Sequence, residues 1–188
     1  MDYIFKIADS EWEYDKIFEL NYQTFVEEIP QHSKNLHKKL VDKFHSENTY
    51  IICIAGRMIL GMLAFRAKRP FSLDYKFEAI NKNVDDFIPR ANNICEVRLL
   101  SIDKKYRHTS VFNRLMKKTI NYAKSESFDL ALISGIISQQ KLYQKFGFTP
   151  FGPVVGNPPA LYQPMFLDIK TFKEKMIPQF NNGNENVE

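Results

Sequence analysis

At 188 residues the chain fits one domain with a sizeable core, and 44% hydrophobic residues can fill it. A net charge of +4 is too modest to point to nucleic acid, and two cysteines make no disulfide framework. No apolar run approaches a membrane span of 18 residues, and the acidic N-terminal stretch lacks a signal-peptide core, so the expected location is the cytoplasm.

Tyr3 to Ile7 reads as a first strand. Ser10 then opens a helix, with Glu13 completing a Ser-x-x-Glu capping box. Tyr14, Ile17, Phe18 and Phe25 follow helical spacing, and Pro30 disfavours helix at Ile29. Ser33 is the expected cap of a second helix, with Leu36, Leu40, Val41 and Phe44 facing inward. Tyr50 to Ala55 and Met58 to Arg66 form two strands of a hairpin around Gly56-Arg57. Cys53 and Cys95 lie in apolar, strand-like runs, which predicts buried reduced thiols. Lys68 to Asn93 holds Pro70 and Pro89 and has apolar density only at Phe77–Ile80 and Val84–Ile88. A segment of that length either covers a functional site or makes a surface excursion with short helical turns.

The most ordered pattern runs from Glu96 to Gly152. Val97, Leu99, Leu100 and Ile102 make a buried strand that ends at Asp103 to Lys105. A basic turn follows with Arg107 and His108, and Thr109 or Ser110 caps a helix. That helix turns Phe112, Leu115, Met116, Thr119, Ile120 and Ala123 to one side and Asn113, Lys117, Asn121 and Lys124 to the other. Leu130 to Ile133 is a second buried strand, and Ser138 to Phe146 a short helix closed by Gly147. Gly152 to Pro159 reads as a rigid loop, Ala160 to Leu167 as the last strand, and Thr171 to Met176 as a helical turn before a polar tail from Asn181.

Two pieces of this order resemble the GNAT acyltransferase superfamily: Val97 to Leu115, and Leu142-Tyr143-Gln144-Lys145-Phe146-Gly147-Phe148, which is close to that family's Tyr-x-x-x-Gly-Phe segment. The resemblance implies an α/β (α+β) fold over residues 1–168, with a mixed, mostly antiparallel twisted sheet of about seven strands flanked by helices, and a tail over 169–188. Phe25-Val26-Glu27-Glu28, the long segment before the central strand and a glycine-poor loop resemble the autoinducer-synthase and N-acyl amino acid synthase branch. That branch commonly carries Glu-x-x-Arg on the central strand, whereas Arg98 here stands two residues after Glu96.

The implied reaction transfers an acetyl or longer acyl group from acyl-CoA (acetyl-CoA included) or from the phosphopantetheine of acyl carrier protein. The acceptor is a primary amine, either a small molecule or a peptide. Glu96 stands at the family's base position, needed because a protonated amine cannot attack a thioester. Tyr143 stands where the family protonates the leaving thiolate. Leu99, Leu100 and Ile102 would pair with the pantetheine, Arg107, His108, Thr109, Ser110, Val111 and Phe112 would face the phosphates, and Ser138 would flank them. Glu27, Glu28 and Arg98 are the candidates for acceptor recognition. Each has a plainer role available: a strand-end carboxylate paired with Arg98, an aromatic packed on the sheet, solvated helix-end charges.

The family loop has glycines where this chain has Ser110 and Phe112, so close backbone approach to a pyrophosphate is not provided for. From Arg98 to Lys118 seven Lys/Arg stand against one Asp. Such a run is usually a solvated face, but here it flanks the expected donor entrance and suits an acidic carrier protein. The scattered histidines give no metal site and the cysteines lack a partner histidine motif. The alternative is a non-catalytic module of the same fold that binds an acyl thioester or a protein.

Overall fold

A computed structural model describes residues 2–172 of the chain. The tail from Asn181, and all but the first two residues of the turn expected over Thr171–Met176, lie outside the described residues. In chain order the elements are β1 (Ile4–Ile7), α1 (Glu11–Tyr22), a π-helical turn (Gln23–Glu28), β2 (Asn48–Ala55), β3 (Met58–Arg66), α2 (Ser72–Glu78), β4 (Ile94–Ile102), α3 (Val111–Ser125), β5 (Leu130–Ile136), α4 (Gln140–Lys145), β6 (Thr149–Pro150), β7 (Val155–Asn157) and β8 (Ala160–Asp168).

The strands form one eight-stranded sheet in the order β1-β2-β3-β4-β5-β8-β6, with β7 also on β8. Every pairing is antiparallel except β4 with β5. This is the mixed, mostly antiparallel sheet that the sequence predicts. The added strand, β7, lies inside the segment expected to be a rigid loop. Ile169 and Phe172 are buried in the core beyond β8, past the expected boundary at residue 168.

Strand alternation sorts the core into layers. From β2 and β3, Ile51, Cys53, Leu63 and Phe65 face α3 and meet Val111, Leu115, Met116 and Ile120. Their neighbours Ile52, Ile54, Met62 and Ala64 face the other way and meet Ile17 and Leu20 of α1. Further along that second face, Leu130 and Leu132 of β5 are covered by Phe71, Leu73, Phe77 and Val84. These four are at most 1% exposed. At about 2 kcal/mol gross per buried apolar side chain, they hold the long segment against the sheet.

One local expectation fails for an identifiable reason, and another, the Ser10–Glu13 capping box, is met through Glu13. No second helix forms after Ser33; the chain runs irregularly from residue 30 to 44, and Leu36 is 99% exposed. His-Ser-Lys-Asn-Leu-His-Lys-Lys has one apolar residue and so no face to bury. Hydrogen bonds hold the stretch instead, Asn35 N–H donating to Tyr22 Oη and Leu40 N–H to Phe18 O, and Phe44, 7% exposed, anchors its end. At the start of α1 half the capping box forms. Glu13 accepts from the Asp9 and Ser10 amides and pairs with Lys6, while the Ser10 hydroxyl has no partner.

Candidate active site

β4 and β5 are hydrogen-bonded only from Ile94–Glu96 to Leu130–Leu132. Beyond that they splay. The register of β4 on β3 shifts between Met62 and Ala64, opposite Leu99, whose φ is +54°. A bulge of this kind bends the strand away from its neighbour. The gap becomes a cleft of about 450 Å³, lined by Val97 to Leu100 and Ile102 on one side and Ile133, Ser134 and Ile136 on the other. Phe25, Glu28 and Gln31 from the turn after α1 close one end. Arg107, which reaches Glu28 itself, borders the cleft with His108, Phe112, Leu142 and Tyr143.

Tyr143 is half-buried at this border, its ring edge-to-face with Phe148 at 6.2 Å. A Cβ placed on Gly135 would stand 3.0 Å from the Tyr143 ring, so only glycine lets the ring lie so close to β5. Among the described residues the Tyr143 hydroxyl has no hydrogen-bond partner. Burial pushes its pKa up to about 12, so the proton stays on the oxygen at neutral pH. Gly147, with φ +103°, ends the short helix that carries it.

The basic turn is only partly directed at the cleft. Arg107 Nε donates to Ile102 O at 2.9 Å, and its guanidinium pairs with Glu28 at 2.5 Å. Lys104 stands 3.8 Å from the same carboxylate. Glu28 thus lines the cleft as the counter-ion of the turn. Glu27, expected beside it, is exposed and outside the cleft. Thr109 Oγ1 donates to Tyr106 O and accepts from Val111 N–H, while Ser110, at the cap position, makes no side-chain cap. Neither lines the cleft. The side chain of Val111 is 0% exposed against Gly61, which removes it as a donor contact. Phe112 packs edge-to-face on Phe146 at 5.8 Å and shows the cleft one edge. A helix start needs a core residue at that position as much as a ligand needs a glycine, and here the core takes it. Ser138 is exposed and outside the cleft, where Gln139 contributes instead.

The largest departure concerns Glu96. It is 0% exposed and does not line the cleft. Its carboxylate accepts from Ser72 N–H at 2.8 Å, Ser72 Oγ at 2.5 Å and Leu73 N–H at 3.0 Å. Those donors open α2, so Glu96 caps that helix and does not face an incoming amine. Arg98 does line the cleft. It pairs with Asp42 at 2.5 Å and stands 3.7 Å from Glu96. Arg98 and the fully buried Arg66 approach the Phe44 ring with their Cζ atoms, at 4.7 and 3.9 Å.

Asp42, Phe44, Arg66 and Lys76 were not legible as site residues. Asp42 and Phe44 sit in a segment expected to be helical, Arg66 ends a strand, and Lys76 lies in the long segment without a motif. The hint available was the length of that segment. Both cysteines are buried free thiols, and burial pushes the Cys53 thiol up to about 11, which leaves no nucleophile there. Among the described residues no three His, Cys, Asp or Glu side chains gather as a metal site, and no helix is long and apolar enough to cross a membrane.

Comparison with known proteins places this geometry. The family model for N-acyl amino acid synthase FeeM matches residues 16–167. A search of curated proteins finds no match. Among solved structures, the acyl-homoserine-lactone (AHL) synthase LasI aligns with a TM-score of 0.77 at 14% identity, over 94% of each chain. FeeM, an N-acyl amino acid synthase from uncultured soil microbes, aligns with 0.66 at 14% identity, over 90% of this chain and 92% of its own. The CoA-dependent acyl-homoserine lactone synthase BjaI, solved with SAM and isopentyl-CoA, aligns with 0.70 at 17% identity, over 87% and 77%.

Proposed function

The chain belongs to the N-acyl amino acid synthase FeeM family of acyltransferases, and from that premise we propose that it moves an acyl group from a thioester, on coenzyme A or acyl carrier protein, to the amine of an amino acid. The observation that carries this reading is the Tyr143 hydroxyl, protonated and without a partner, at the edge of a cleft opened between β4 and β5.

The pantetheine arm lies in the gap and pairs with β4 backbone near Leu99 to Ile102, where the ladder to β5 has ended. The neutral fraction of the acceptor amine attacks the thioester carbonyl carbon. The C–N bond forms, the C–S bond breaks, and the amine proton passes to water. Tyr143 donates its proton to the leaving thiolate, which departs as the thiol. Glu96 acts as a positioning residue: it caps α2 and stands beside Arg98. On the donor side, Arg107 neutralises Glu28 before it can meet a phosphate, so the exposed Lys104, Lys105 and His108 meet the donor's anionic end. A carrier protein, with one phosphodiester on its arm, suits this turn at least as well as coenzyme A.

The test incubates the purified protein with acyl-CoA and acyl carrier protein of the same chain length, each with a panel of amino acids, and reads products by mass spectrometry. An N-acyl amino acid formed from one donor or both is the expected result. Absence of acylated amino acid with either donor, across acyl lengths, overturns the reading.

A further inference from the structure

One buried titratable group takes no part in the reaction as described so far. Lys76, on α2, reaches the cleft wall from the face of the sheet opposite Tyr143. Its Nζ donates to Ser134 Oγ at 2.6 Å and stands 4.1 Å from the centre of the Tyr162 ring, and both partners line the cleft. Burial pushes its pKa down to about 8; Glu96 acts against that, while Arg98 and Lys43 act with it.

The charges around it do not balance. Arg66, Lys76 and Arg98 are three inward cations, and Asp42 and Glu96 are the two carboxylates set among them. Glu47, half-exposed, touches only Arg66, and the exposed Lys43 offsets it on the outer side. Arg66 Nη1 and Arg98 Nε are both buried without a hydrogen bond. An ammonium has three protons to donate, and Lys76 gives one to Ser134. A buried cationic excess with unused donors is complementary to a small anion.

β5 sets where such an anion would lie. Successive side chains of a strand point to opposite faces. Gly135 faces the Tyr143 ring, and Ser134, the residue before it, faces Lys76. The acid for the leaving group and the cation therefore meet the same strand at adjacent residues, on opposite faces of the sheet. An α-amino acid carries its carboxylate on the carbon next to its nucleophilic nitrogen. Held at Lys76, it presents the amine toward the thioester carbonyl.

Resting on the function given above, we propose that Lys76, with Ser134 beside it, binds the α-carboxylate of the amino-acid acceptor and so sets the preference for amino acids over simple amines.

The experiment compares an amino acid, its carboxamide and its decarboxylated amine, by calorimetric binding and by steady-state transfer, with wild type, Lys76→Met and Lys76→Arg. Wild type is expected to favour the amino acid by roughly 10- to 100-fold, the range for a charge-assisted hydrogen bond. Lys76→Met should erase that ratio by raising KM for the amino acid, with KM for the acyl thioester unchanged, and Lys76→Arg should keep part of it. A wild type that treats amino acid and carboxamide alike, or a Lys76→Met variant that keeps the ratio, overturns the proposal. Carboxylate-dependent binding that Lys76→Met abolishes, with no acyl transfer by wild type, supports the anion site and sinks the transferase reading instead. If Lys76→Met fails to fold, the wild-type ratio and its retention in Lys76→Arg still decide.

Discussion

The two walls of the cleft are built differently. The wall toward α3 and α4 comes from two short stretches of chain, Val97 to Phe112 and Gln139 to Tyr143. The side toward α2 is backed by Asp42, Phe44, Arg66, Lys76, Glu96 and Arg98, drawn from four separate places in the sequence, and of these only Arg98 lines the cleft itself. One wall is local and mostly apolar. The other is non-local and charged, and most of its charge is buried. A wall of the first kind loses catalysis when changed; a wall of the second kind risks the fold as well.

Glu96→Ala should show the greatest effect and fall on stability. It leaves the Ser72 hydroxyl and the first amides of α2 without their acceptor at a fully buried position and removes a carboxylate 3.7 Å from Arg98, a cost of about 3–5 kcal/mol. Denaturant unfolding measures it. A change under about 1 kcal/mol, within the range of an ordinary exposed ion pair, breaks the contrast between the walls.

Tyr143→Phe tests the opposite wall. Its hydroxyl supports nothing else among the described residues, so turnover should fall by roughly ten- to a thousandfold with the melting temperature unchanged. Wild-type turnover removes the acid role. Because burial holds the phenol pKa up at about 12, no fall in rate from its ionisation is expected below about pH 11.

Lys76→Met sharpens the comparison further, since it should stabilise the fold while harming acceptor use. The folded-state pKa is about 8, below the ordinary lysine value of 10.5. Below pH 8 the ammonium is held charged in a buried site at a cost. Between pH 8 and 10.5 the unfolded chain binds more protons than the folded one, so stability rises with pH and the cost disappears. The variant should therefore gain about 1–3 kcal/mol at pH 7 and almost nothing above pH 10.5, in unfolding series at several pH values. Glu96, Arg98 and Lys43 all face this group and set where the window falls. An equal gain at every pH would mean that packing, not charge, drives it.

Glu28→Gln should have the smallest effect. It releases Arg107 from its ion pair, and the freed charge should speed donor encounter severalfold at low salt. Stopped-flow binding across a salt series reads this, and an effect that persists at 1 M salt is not electrostatic.

The same division explains what was legible in the sequence. Elements whose signals are local were readable: the hairpin around Gly56, the apolar stripe of α3, Gly147 after the short helix, Tyr143 at the cleft. The Glu96 base position was implied by the family resemblance, from its place on the strand. Whether its carboxylate is open or capped depends on Ser72 and Leu73, more than 20 residues earlier, whose helix forms only once Phe71, Leu73 and Phe77 find β5. Phe112 illustrates the reverse case. It stands where the family loop has a glycine but also falls on the apolar stripe of α3, and its ring is part of the core with Phe146. The false helix after Ser33 came from counting Leu36, Leu40, Val41 and Phe44 as one inward face, whereas Leu36 and Val41 are exposed and only Phe44 is buried.

The end of the β4–β5 ladder at Glu96 has one more consequence. An exposed sheet edge invites another chain to pair with it, and proteins guard their outer edges for that reason. Here an edge is opened inside the sheet, where β3 and β8 have already taken the far sides of both strands. Such an inner edge consists of main-chain groups common to every residue type. The fold around it tolerates wide drift in sequence: LasI and FeeM, each 14% identical to this chain, align with it at TM-scores of 0.77 and 0.66.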